Sequence, residues 1–145
     1  MQISNYKHNG FKVTRILLLA LLFIGIGSAL ELYLLDHYED VQQLIPLLAI
    51  GVSLIAMAVL IARRTRFTEG LFRSIMVLTA LSGAYGVFLH LQANFEFEQE
   101  MKPGAEPWDL FVESLSGALP ALAPASLIAF ALIGYAYYLL LIHQQ

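Results

Sequence analysis

The stretch Leu44–Ala62, LIPLLAIGVSLIAMAVLIA, runs nineteen residues without a charge and is followed at once by Arg63-Arg64-Thr65-Arg66. A helix of about 20 apolar residues crosses a hydrocarbon core of about 30 Å. Arginines directly after such a run mark where it reaches the membrane surface. This segment therefore reads as a transmembrane helix, and the rest of the chain repeats the pattern.

Ile16–Leu35 is a second apolar run, broken only by Glu31. Ser74–Gln92 is a third, interrupted by His90, and Leu119–Ile142 is a fourth with no charge. The expected spans are 16–36, 44–62, 71–93 and 120–142, joined in one membrane domain. The first run continues past the small residues Gly27-Ser28-Ala29 to Leu35, so it reads as a retained helix rather than a cleaved leader. None of the four shows the strict alternation of a barrel strand.

Composition agrees. Of 145 residues, 59% are apolar and 13% are charged, against roughly a quarter charged in a soluble domain. Mean hydropathy is +0.70. A soluble chain of this size buries only about 70% of the surface its unfolded state exposes, too little to hide so much apolar area. A soluble globular domain, a disordered chain and a nucleic-acid binder are thereby excluded. The chain has no cysteine, which removes disulfides, thiolate metal sites and thiol redox chemistry.

Between the third and fourth runs lies a polar segment, 94–118. Asn94-Phe-Glu96-Phe-Glu98-Gln-Glu100 alternates polar with apolar residues and reads as a short extended stretch with Phe95 and Phe97 dipping into the interface. Pro103-Gly104 signals a turn. After Pro107 the pattern becomes amphipathic, with Trp108, Phe111, Val112 and Leu115 on one side and Asp109 and Glu113 on the other. This predicts a short helix lying in the membrane interface. Pro120 and Pro124 predict a kink before the last span.

The charges are sorted. Seven of the eight Lys and Arg (Lys7, Lys12, Arg15, Arg63, Arg64, Arg66, Arg73) fall on one side, and only Lys102 on the other. Ten of the eleven acids fall on the Lys102 side, with Glu69 the exception. The positive-inside rule places both termini in the cytoplasm of a bacterium and the acidic loops in the periplasm, across the inner membrane. Orientation does not need the acids, since Asp and Glu contribute little to it, so their excess is where function is sought.

His37 and His90 stand at the acid-rich ends of the first and third spans. On the third, Ser82, Gly86, His90, Asn94 and Glu98 recur every fourth residue and share one face. Small residues there, with Gly83 beside them, let another helix approach closely. Gly27 is expected to do the same for the first helix. Glu31 lies about 7.5 Å below Asp36 at 1.5 Å per residue, deep enough for a proton or ligand site together with Asn94.

Three functions are compatible with these residues. The leading reading is a small accessory or interaction subunit, acting as a dimer or in a larger membrane complex, with an acidic, histidine-containing periplasmic face. The second is a divalent-metal protein using His37, Asp40, His90, Glu98 and Glu113, because imidazole and carboxylate suit Mn²⁺, Fe²⁺ and Zn²⁺. The third is a proton-coupled small-solute transporter using Glu31 with His90.

Overall fold

A computed structural model describes residues 2–143, with side chains from residue 12 onward; Lys7 and His8 fall outside the described side chains. The elements are α1 (Gln2–Leu34), α2 (Val41–Ala62), α3 (Arg66–Met101), α4 (Pro107–Ser114) and α5 (Ala125–His143), with no strand among the described residues. Four stretches are long and apolar enough to cross a membrane: Lys12–Leu34, Val41–Ala62, Arg66–Met101 and Ala125–His143.

The ends of the helices have local causes. Asp36 closes α1 in the left-handed region, φ 53°. Its N–H donates to the Tyr33 carbonyl at 3.2 Å, and the His37 N–H reaches the Leu32 carbonyl at 2.9 Å. These two bonds form a Schellman cap, in which glycine is the usual left-handed residue. Asp36→Val should therefore cost about 1–2 kcal/mol, because a short polar aspartate tolerates that conformation where a β-branched side chain does not, while Asp36→Gly should keep full stability. Reversible unfolding in detergent micelles checks the pair.

Asp40 then caps α2, its Oδ1 accepting from the Gln42 and Gln43 N–H groups at 2.8 and 3.0 Å. The helix thus begins at Val41, ahead of the expected Leu44, and contains Pro46. Thr65 caps α3 in a reciprocal box with Thr68. α3 continues to Met101, about 54 Å at 1.5 Å per residue. The stretch after Asn94 is therefore helical, not extended. Side-chain pairs one turn apart support it: Gln92 donates to Glu96 at 2.8 Å and Lys102 meets Glu98 at 3.3 Å. α5 starts at Ala125, later than the expected 120, because Pro120 and Pro124 confine residues 120–124 to turns.

The four long helices form a ring in which α1 packs on α2 and α5, and α3 packs on α2 and α5. α4 lies against α3. Leu21, Met57, Leu60, Phe72, Met76, Phe130 and Tyr137 fill the centre. Ser53 and Thr79, each 1% exposed, hydrogen-bond at 2.9 Å between α2 and α3. Outward-facing Leu19, Phe23, Val77 and Leu78 are exposed, as expected of surface that meets lipid rather than water.

Close packing falls on one small-residue face of α3 and on Gly25 of α1. A Cβ on Gly83 would stand 3.0 Å from the Pro124 carbonyl, and one on Gly86 2.8 Å from Pro124 Cβ. The Gly83–Gly86 face therefore seats the start of α5. Ser82 donates to the Thr79 carbonyl of its own helix. Gly27 does not pack: nothing lies within 4 Å of a Cβ placed there. Gly25 takes that role against Phe130 and Leu54, at 2.9 and 3.3 Å. Two residues correspond to 200° around a helix, so Gly27 faces away from the bundle where Gly25 faces in.

Candidate functional site at the acidic end

The end of the bundle carrying residues 35–40 and 93–119 holds nine carboxylates and one lysine. Its organising residue is Asn94, which is 2% exposed. Nδ2 donates to the Ser114 carbonyl at 2.9 Å and the Leu119 carbonyl at 2.7 Å, and Oδ1 accepts from the Leu119 N–H at 2.9 Å. Both amide protons are used and the oxygen is engaged, so the side chain is consumed in holding 114–119 against α3. Gly117 makes room for it: a Cβ there would come within 2.8 Å of both Asn94 Cβ and Nδ2. The expectation that Asn94 serves a proton or ligand site is replaced by this structural role.

The rest of the cap is tied down in the same way. Ser114 is fully buried and donates to the Phe111 carbonyl at 2.7 Å. Leu110, 3% exposed, is the other buried residue of α4. Leu110 and Ser114 are one turn apart, so they form the face of α4 that meets the bundle. Trp108, Phe111, Val112 and Leu115 are exposed, leaving the apolar side of this amphipathic stretch turned outward. Lys102 Nζ joins Glu113 at 2.6 Å and Glu98 at 3.3 Å, linking the end of α3 to α4. The Glu113 carboxylate is the main cause that holds the Lys102 ammonium above its ordinary range, and Glu98 adds to it.

The proposed metal ligands have other partners. Glu98 and Glu113 are brought together, but the Lys102 ammonium stands between them where a cation would have to sit. Asp40 Oδ1 caps α2. His90 Nδ1 lies 3.1 Å from the Pro120 carbonyl. That oxygen only accepts, so Nδ1 carries the proton and Nε2 is the remaining coordinating nitrogen. His37 is half-buried; its backbone N–H belongs to the α1 cap, and among the described residues no other proposed ligand joins its imidazole in a cluster. Among the described residues, no group of three or more His, Asp or Glu could hold a metal ion.

Glu31 is exposed on α1. α1 and α3 occupy opposite positions in the ring, so Glu31 and His90 stand on helices that do not pack together. Across the turn from α1 to α2, Tyr38 donates to Asp36 at 2.8 Å and stacks on Tyr33 with ring centroids 5.7 Å apart. The Asp36 carboxylate, by accepting that bond, pushes the Tyr38 phenol upward.

Sequence reasoning singled out neither Gly117 nor Ser114. Both acquire their roles from Asn94, and no local signal announces a partner so far along the chain. The cap of Asp40 was legible: an aspartate before an apolar run, with a glutamine three residues on, is a helix-start pattern. Comparison of the chain with protein-family models, curated proteins and solved structures finds no match.

Proposed function

We propose that the protein is an accessory or interaction subunit of a bacterial inner membrane, with both termini cytoplasmic and an acidic cap in the periplasm. The observation that carries this reading is the fastening of the cap. Asn94, Lys102 and the Leu110–Ser114 face hold segment 103–119 on α3, leaving Glu106 and Asp109 exposed on the segment and Glu96 and Glu100 exposed on α3 beside it. A carboxylate surface fixed in place suits recognition of a basic partner, because the charges need no ordering on contact. The outward Trp108, Phe111, Val112 and Leu115 suit immersion in the interface, which would hold α4 level with the membrane surface.

The test places a photo-crosslinking residue at exposed Gln99 in the full chain, in native membranes. A discrete adduct with another protein is expected. Its yield should fall roughly tenfold when Glu96→Gln, Glu100→Gln, Glu106→Gln and Asp109→Asn are combined, within the range that charge steering covers. No adduct, an adduct of unchanged yield in the neutralised variant, or an adduct between two copies of this acidic cap would each overturn the proposal.

A further inference from the structure

We propose that a groove between α3 and α5 at the basic end binds an anionic phospholipid, its phosphate at Arg73 and the upper part of an acyl chain along Val77 and Leu78. The groove has a volume of about 450 Å³ and is lined by Arg73, Ser74, Val77 and Leu78 of α3 and by Tyr135 of α5.

Three observations lead there. The first is polarity along the groove. Arg73 and Val77 are one helical turn apart, as are Ser74 and Leu78, so each polar residue stands one step nearer the basic end than its apolar neighbour. A lipid in that leaflet has the same order, head group first and chain after.

The second is depth. Arg73 is the last charged residue before the uncharged run Ser74–Gln92. It follows the arginine-rich turn by about 10 Å of helix at 1.5 Å per residue, which sets it at the edge of the apolar span. The contact between Met76 and Gly134 fixes the register of α3 against α5. Tyr135 of α5 lines the same groove as Arg73. Tyrosine is the residue type that favours this depth.

The third is charge. Arg64 pairs with Glu69 at 2.9 Å, but Arg73 has no ion-pair partner among the described residues. Arg63 and Arg66 add positive charge at the same end. Basic pockets between membrane helices hold anionic head groups, and a guanidinium can grip a phosphate through two parallel hydrogen bonds. The apolar lining of Val77 and Leu78 favours a lipid over a free phosphate, which would leave that surface unused.

Native mass spectrometry of the full chain in mild detergent tests the proposal, with phosphatidylglycerol and phosphatidylcholine of matched chains in competition. The protein should retain phosphatidylglycerol about fivefold over phosphatidylcholine, the ratio that corresponds to ~1 kcal/mol for one basic residue near the surface. Arg73→Gln should abolish most of the preference, Arg73→Lys should keep most of it, and Arg63→Gln, which lies outside the groove lining, should lower it much less than Arg73→Gln does. Val77→Trp, which fills the apolar end, should reduce retention of both lipids. Helix content by circular dichroism checks that each variant is folded. Equal retention of the two lipids, a preference that largely survives Arg73→Gln, or displacement of the lipid by soluble glycerol phosphate would overturn the proposal. So would a dimer that carries no lipid.

Discussion

Asn94→Leu should release the cap from α3 and destabilise the protein by about 2–4 kcal/mol, because buried partners would be left unpaired at about 1–3 kcal/mol each. The partners are the Ser114 carbonyl and both backbone groups of Leu119. Leucine matches asparagine in size, so the loss would come from polarity rather than from a cavity. Asn94→Asp separates the two kinds of bond. It keeps an acceptor for the Leu119 N–H but turns a carboxylate toward two carbonyl oxygens, and it should be nearly as damaging at neutral pH. Hydrogen exchange across residues 103–120 and limited proteolysis read the release directly. Protection of 114–119 in Asn94→Leu equal to that of the unaltered protein would show that the clasp is not what holds the cap. The four-acid variant used to test partner docking leaves Asn94 in place, so loss of recognition and loss of the cap are separable.

Gly86→Leu should force α3 and α5 apart and cost about 1–3 kcal/mol, the range for inserting atoms into a packed contact. Even a methyl group would stand 2.8 Å from Pro124 Cβ, and a proline ring cannot rotate out of the way as a flexible side chain can. Gly83→Leu should act in the same direction, since the Pro124 carbonyl and Leu127 Cβ are both 3.0 Å from the new Cβ. Gly27→Leu is the contrasting substitution. With nothing within 4 Å of that position, it should leave the stability of the isolated chain unchanged or raise it slightly, because glycine is a poor helix former. Unfolding of the three variants in micelles, followed by circular dichroism, gives the comparison. Equal losses at Gly27 and Gly86 would contradict the packing described above.

Glycine illustrates how unevenly the chain can be read. Gly27 and Gly86 look alike in sequence, each in an apolar run with a second glycine two or three residues before it. One lies open and the other is the seat of a helix crossing. Aspartate shows the converse. The sequence suggested Asp40 as a metal ligand beside His37, yet a local pattern already pointed to a helix cap, and that is its role. The polar alternation after Asn94 misled in a third way. It has the period of a strand, but the residues find helical partners: Asn94 is clasped by Ser114 and Leu119, and Glu98 meets Lys102 one turn on. Tertiary anchoring outweighed a weak local preference.

Hydrophobic length and the order of charges depend on each residue's relation to its solvent, one position at a time. From the sequence alone they therefore determine four helices long and apolar enough for a bilayer, a basic end and an acidic end. They also marked the amphipathic stretch before the last helix. The division of the polar residues between holding the fold and facing outward was a matter for tertiary structure. Asn94 became a clasp because Ser114 and Leu119, 20 and 25 positions away, came within hydrogen-bonding distance. Glu98 and Glu113 met around a lysine, and Arg73 was left at the mouth of a groove. Each outcome depends on which distant residue arrives within a few ångströms, and that is a property of the packed bundle.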